Sequence, residues 1–190
     1  DEIDKLPEVP EIKSGLPVKP ILIEDSKKGW ADSVKTLMEC LYDGQNQYFD
    51  YSGIRPEGAR LMTMGGRASG PQPLVKLHDF IRETMHNAQG RQLTSLEAHD
   101  ICNQIAEIVV VGGVRRSSQI SLSDLHDKDM RHAKEWPFPI KRAMANNSAI
   151  YREKPSAGEF LTEWAALALS GSGERGIFNL EAAQNKAPSR

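Results

Sequence analysis

Two short segments of this 190-residue chain combine glycine, arginine and hydroxyl side chains as anion-binding loops do. In Gly65-Gly66-Arg67-Ala68-Ser69-Gly70 the glycines let backbone N–H groups approach an anion closely. A helix predicted to follow would add about half a positive charge at its N-terminus. Arg67 contributes a cation and Ser69 a hydroxyl. Phosphate binding and a plain strand-to-helix turn are both physically sensible readings, since this is neither a Walker loop nor a dinucleotide fingerprint. The second segment, Gly112-Gly113-Val114-Arg115-Arg116-Ser117-Ser118-Gln119, repeats the mixture between a helix and a strand. A planar, forked guanidinium suits phosphate or a flat base, so Arg115 and Arg116 are its candidate contacts. A helix C-cap followed by two solvated arginines is the alternative. Together, two glycine–arginine–serine bends point toward a nucleotide held between them.

Three weaker signals follow. Asn146, Asn147 and Ser148 could orient a sugar or base, although Asn-Asn also forms turns that bond their own backbone. Ser170-Gly-Ser-Gly-Glu-Arg-Gly176 reads as a flexible or functional loop, with Glu174 and Arg175 a solvated pair. The five histidines show no metal spacing, and His78, His86 and His99 fall in helical stretches, where surface or structural roles are expected. Cys40 and Cys102 form no CxxC pattern and read as core or boundary thiols.

The elements that must position these segments alternate along the chain. Residues 1–25, with Pro7, Pro10, Pro17 and Pro20, read as an extended arm. Trp30, Val34, Leu37, Met38 and Leu41 recur at helical spacing, with Gly44 as a stop. Residues 46–51 have strand character, and Pro71 and Pro73 fit the first turn of a helix carrying Leu74, Leu77, Ile81 and Met85. Thr94-Ser-Leu-Glu97 and Ser156-Ala-Gly-Glu159 are capping boxes that open two further helices, the first predicted to reach Gly112-Gly113. Ile120 and Leu122 alternate with polar residues as in a half-buried strand; residues 146–151 and 176–179 are also predicted strands. The order is α/β with mostly parallel strands. Residues 26–190 are expected to form one domain behind the arm.

Composition narrows the classes. At 39% hydrophobic, 26% charged and a net charge of -2, the chain has no global field that favours DNA or RNA. No apolar run approaches a membrane span, the first residues are unlike a signal peptide, and a reducing cytoplasmic setting is expected. The Asp1 start and the Ala-Pro-Ser-Arg190 end suggest a piece of a longer protein.

Six motifs in register carry a family resemblance: Ile54-Arg-Pro-Glu-Gly-Ala59, Gly65-Gly-Arg-Ala-Ser-Gly-Pro-Gln-Pro-Leu74, Asp100-Ile-Cys-Asn103, Val110-Val-Gly-Gly-Val-Arg-Arg-Ser117, Ala145-Asn-Asn-Ser148 and Gly173-Glu-Arg-Gly-Ile-Phe-Asn-Leu180. From about Lys28 onward the chain resembles the monomeric type of class II, adenosylcobalamin-dependent ribonucleotide reductase. The resemblance implies part of a ten-stranded α/β barrel, about one half-barrel. It also implies thiyl-radical reduction of ribonucleotides to deoxyribonucleotides, started by adenosylcobalamin and sustained by a thioredoxin-type reductant. Gly65–Gly70 then correspond to a loop beside an allosteric deoxynucleoside triphosphate, and Gly112–Gln119 to the loop joining that effector to the substrate base. Asn146, Asn147 and Ser148 would lie on the substrate side. The family's radical cysteine belongs to an Asn-x-Cys-x-Glu motif that this chain lacks, and neither Cys40 nor Cys102 matches its reducing pair. No catalytic or metal-binding residue is therefore expected here, and the chain alone should be inactive, joined to the rest of the reductase or self-associated. The alternative is a noncatalytic nucleotide-binding or assembly module derived from that family.

Overall fold

The computed structural model describes residues 5–13, 19–61, 66–108, 117–171 and 173–188. It divides into two units, Asp1–Arg116 and Ser117–Arg190.

In the first unit, helical periodicity becomes helix where a side chain caps the free N–H groups. The hydroxyl of Ser26 accepts the Gly29 N–H at 2.9 Å and opens α1 (Lys27–Tyr42). Helix α2 (Gln72–Asn87) starts at its prolines. Helix α3 (Ser95–Glu107) is opened by the predicted capping box, with Thr94 and Glu97 each accepting the other's backbone N–H. It ends at Glu107, and the predicted extension to Gly112-Gly113 lies outside the described residues from position 109. Leu37, Leu41, Leu74, Leu77, Ile81 and Met85 are fully buried, one apolar stripe per helix, as the spacing requires. The proline-bearing arm also contributes: Val9 and Ile12 are buried, and Val9 pairs with the chain beside Gln89.

The predicted strand over 46–51 shortens to β2 (Phe49–Asp50), which pairs in parallel with β1 (Ile21–Leu22), a strand the sequence did not announce. Side chains claim the backbone on either side. Arg82 donates to the Gln47 carbonyl at 2.7 Å, the Gln47 amide donates to the Tyr48 carbonyl at 2.6 Å, and Asp50 accepts the Ser52 N–H at 2.9 Å. That last bond turns the chain out of the ladder.

Buried among these elements is a three-residue polar chain. The Ser33 hydroxyl donates to the Trp30 carbonyl at 2.7 Å, so it must accept from His78 Nε2, 3.1 Å away. His78 Nδ1 is then the acceptor for the Tyr51 hydroxyl at 2.7 Å, which burial keeps protonated by raising its pKa. The network thus specifies a neutral imidazole. Burial, and secondarily the Arg82 charge, lower the His78 pKa from 6.5 to about 4.

The second unit is a parallel three-stranded sheet in the order β3 (Gln119–Asp124), β4 (Ala145–Tyr151), β5 (Gly176–Asn179). Helix α4 (Lys128–His132) and a 3₁₀ turn at Ile140–Met144 link the first two strands; α5 (Ala157–Leu169), opened by the Ser156–Glu159 box, links the last two. A short α6 (Leu180–Lys186), unanticipated in the sequence, follows with Asn179 as its cap. The mixed α/β order and the parallel strands agree with expectation. The sense of the strand pattern does not. Ile120 and Leu122 are 74% and 41% exposed, while Ser123 and its register neighbour Ala149 are buried. The apolar side chains of β3 occupy the uncovered face, and the serines turn toward a polar cluster described below.

Because the unfolded chain binds a proton at His78 between pH 6.5 and about 4 and the folded one does not, stability contributed by this site is complete above 6.5 and falls as pH drops through that window. The loss should reach about 3 kcal/mol. Urea titrations at pH 7 and pH 4.5 should show a smaller pH-dependent loss for His78→Gln than for the unmodified protein.

Candidate functional site

The first predicted loop belongs to the first unit, and its described part is a hairpin. The Ala68 N–H donates to the Ala59 carbonyl at 2.7 Å, the Gly58 N–H to the Ala68 carbonyl at 2.9 Å, and the Leu61 N–H to the Gly66 carbonyl at 3.1 Å. Arg67 is exposed and donates to the Gly58 carbonyl at 2.9 Å. Gly70 adopts φ 70°, and a Cβ there would sit 2.9 Å from the Glu57 nitrogen, so the turn requires glycine. The Ser69 hydroxyl donates to the neighbouring Gly70 carbonyl at 3.4 Å. Gly65 lies outside the described residues. At the start of α2, Pro71 and Pro73 have no N–H, and Leu74 and Val75 donate to the Pro71 carbonyl at 3.0 and 3.1 Å. Fewer helix N–H groups remain for an anion than the glycine pattern alone suggests. Arg67 and Arg60, opposite one another and both exposed, are cations that this hairpin presents.

Of the second loop, Gly112, Gly113, Val114, Arg115 and Arg116 lie outside the described residues. Ser117, Ser118 and Gln119 lead into β3, whose register places Gln119 beside Ala145 and Ile120 beside Asn146. The third predicted segment is thereby brought next to the second. Strand alternation sends Asn146 and Ser148 to the uncovered face with Ile120 and Leu122, whereas Asn147 points under the sheet and is buried. Ser148 has room there because its β5 neighbour is Gly176: a Cβ on that glycine would approach the serine Oγ to 2.9 Å.

Glu174 and Arg175 correct the sequence reading. They are not a solvated pair. Arg175 is 5% exposed and uses its whole guanidinium. Nε and Nη2 donate to Glu163 Oε2 at 3.3 and 3.2 Å, Nη1 to the Ser123 hydroxyl at 2.9 Å and the Asp124 carbonyl at 2.8 Å, and Nη2 to the Leu125 carbonyl at 2.6 Å. Burial lowers the Arg175 pKa and the Glu163 carboxylate opposes that shift. Arg131 of α4 pairs with the other oxygen of Glu163. Glu174 accepts from Lys134 Nζ at 2.6 Å and from the Asn147 N–H at 2.8 Å, and Lys134 also donates to the Ala145 carbonyl. Between these groups is a cavity of about 10 Å³, room for one water. A larger cleft in the first unit, about 240 Å³, is bordered by Phe80, Glu83, Thr84, Asn87, Glu97 and Asp100. Of the two cysteines, Cys40 is half-buried and Cys102 is exposed rather than a core thiol. Among the described residues no group of three histidine, cysteine or acidic side chains could hold a metal, and no helix is long and apolar enough to cross a membrane.

Comparison with known proteins adds a second line of observation. A family model described as the insertion domain of B12-dependent ribonucleotide reductase matches residues 18–85. The adenosylcobalamin-dependent ribonucleoside-triphosphate reductase of Lactobacillus helveticus (strain DPC 4571) is 33% identical over 172 residues, covering 86% of this chain and 22% of that protein. The Euglena gracilis enzyme of the same name is 32% identical over 139 residues, 71% of this chain and 19% of its own length. A crystal structure of a B12-dependent (class II) ribonucleotide reductase superimposes with a TM-score of 0.75 at 28% identity, covering 91% of this chain and 25% of that one.

Removing Glu163 leaves the buried Arg175 and the half-buried Arg131 without their shared carboxylate, whereas removing Arg175 leaves Glu163 still paired with Arg131. Glu163→Ala should destabilise the second unit by about 3–5 kcal/mol and Arg175→Met by less. The double variant should lose much less than the sum, a coupling that urea denaturation of the four proteins would measure.

Proposed function

The chain belongs to the adenosylcobalamin-dependent, class II ribonucleotide reductases, spanning 22% of the length of the Lactobacillus helveticus enzyme, and we propose that it forms nucleotide-contacting wall and loops of such an enzyme. One observation carries the reading. A parallel sheet is ordinarily covered on both faces, yet Asn146, Ile120 and Leu122, on one face of β3–β4 with the half-buried Ser148, stay exposed. In a closed barrel that face looks inward, where a substrate would meet the asparagine and serine.

On this reading β3, β4 and β5 are consecutive strands of a ten-stranded barrel. Residues 26–190 then form the partial barrel domain behind the 1–25 arm, with the stretch matching the insertion domain set into it. The substrate is a ribonucleoside triphosphate. The loop at Gly65–Gly70 offers Arg67 to a deoxynucleoside triphosphate effector. The loop at Gly112–Gln119 couples that effector to the substrate base, with Arg115 and Arg116 as its contacts. The cysteines of the radical and reducing steps come from elsewhere in the enzyme, as does the site of the thioredoxin-type reductant, so the chain alone turns nothing over.

Adenosylcobalamin, which supplies the initiating radical in the relatives' chemistry, fits neither of the two cavities described above. A corrin needs more room than a drug-sized ligand, whose pockets begin at about 300 Å³. Those two cavities are about 10 and 240 Å³, the smaller one bordered by charged groups already paired with each other. No step of this chain's chemistry is routed through the cofactor.

The test uses the full-length enzyme with its cofactor. Asn146→Ala and Ser148→Ala should each lower kcat/KM for the ribonucleotide about tenfold, as loss of a substrate hydrogen bond does. Unchanged kinetics in both would refute the inward-facing site. Separately, Trp136, Ile140, Ile120 and Leu169 are 74–86% exposed, so the chain produced alone should associate. Light scattering over a wide concentration range should report species larger than a monomer, and a stable monomer would count against the reading.

A further inference from the structure

The ladder between β4 and β5 begins at Ser148 and Gly176, so three residues of β4, Ala145, Asn146 and Asn147, have no strand partner on that side. Side chains take the vacant main-chain positions. The Asn147 N–H donates to Glu174 Oε2 at 2.8 Å, Lys134 donates to the Ala145 carbonyl, and the two side chains are joined at 2.6 Å. The pair therefore grips the backbone on both sides of Asn146, one donor and one acceptor, as a neighbouring strand would. It is shielded from solvent: Lys134 and Glu174 side chains are 9% and 16% exposed.

The distances have a consequence for Asn146. Its own backbone lies between the two gripped groups, and on the other side β3 holds it through the Ile120 register. With both edges tied, the strand cannot twist about this residue, and the side chains of Asn146 and Ser148 keep their direction toward the uncovered face. Charged hydrogen bonds in a shielded place are worth more than neutral ones. Arg175, the next residue after Glu174, is itself anchored at Ser123 and Glu163, which fixes where the carboxylate stands.

We propose that Lys134 and Glu174 are positioning residues for the substrate, a side-chain surrogate strand that sets the aim of Asn146 and Ser148. This rests on the reading of that face as the substrate side. Neither residue touches substrate. Their effect passes through the β4 backbone, which predicts a change in binding rather than in the chemical step.

The experiment uses the full-length enzyme with adenosylcobalamin, a ribonucleoside triphosphate as substrate, and two readouts: steady-state kinetics, and amide hydrogen exchange of the peptide covering 145–148. Glu174→Ala should raise KM about tenfold with kcat within about twofold, and speed exchange in that peptide about tenfold. Glu174→Gln, which keeps an oxygen to accept the Asn147 N–H, should recover most of both. Lys134→Met should fall between, and serves as the informative variant if Glu174→Ala does not fold. Unchanged exchange in Glu174→Ala and Lys134→Met overturns the surrogate strand itself. Faster exchange with unchanged KM, or a loss confined to kcat, overturns the positioning role and leaves a structural clamp. Failure of the substrate reading is seen independently, because Asn146→Ala and Ser148→Ala would then leave KM untouched whatever Glu174 does.

Discussion

Arg175 sets the terms for the second unit. A guanidinium offers five N–H groups, and here five contacts meet them: two to Glu163, one to Ser123, and one each to the carbonyls of Asp124 and Leu125. One side chain thus joins the approach to β5, the end of β3 and the middle of α5. Burying a charge is costly unless it is paired and hydrogen-bonded, and this geometry meets both conditions. The rest follows from it. Helices α4 and α5 bring Arg131 and Glu163 beneath the sheet beside the buried Met130, and the apolar side chains of β3 lie on the opposite face. The two halves of that arrangement are one decision: an ionic network beneath, the apolar side chains of β3 above.

The first unit solves the same problem with neutral groups. Ser33, His78 and Tyr51 form a directional chain in which each hydrogen has one acceptor, and the imidazole stays uncharged. The chain links α1, α2 and the turn after β2. Phe49 packs its ring 4.7 Å from that of His78, adding an apolar wall to the network. Neutral networks tolerate burial more readily than ionic ones, but they depend on one tautomer, and so on pH. The two units therefore differ in what disturbs them: acid for the first, loss of a charge partner for the second.

Much of the fold was legible because its signals are local. Both capping boxes and the prolines opening α2 act within one helical turn, and each falls where the spacing put it. Strand positions for β3, β4 and β5 were also readable from alternation and bounding turns. Which face those strands would cover was not. Ile120 and Leu122 fit a half-buried strand equally well in either orientation, and the choice is made by Arg175, whose partners lie 12 to 52 residues away. Set among glycines and serines, Glu174 and Arg175 look like loop residues, and only tertiary contacts reveal otherwise. The strand expected over 46–51 failed for a similar reason, since Arg82 from a distant helix takes the Gln47 carbonyl. At the candidate site, the nearness of Gln119 to Asn146 is a matter of register, which no motif encodes.

Vectorial synthesis gives the Arg175 network an order in time. Ser123, Asp124, Leu125 and Glu163 all leave the ribosome before the residue that satisfies them. A nascent chain halted short of residue 175 would hold the Glu163 carboxylate against Arg131 alone, with Ser123 and the Asp124 and Leu125 carbonyls each short of one charged donor. The wall should therefore consolidate late and in one stroke, when the guanidinium arrives, rather than strand by strand as each emerges.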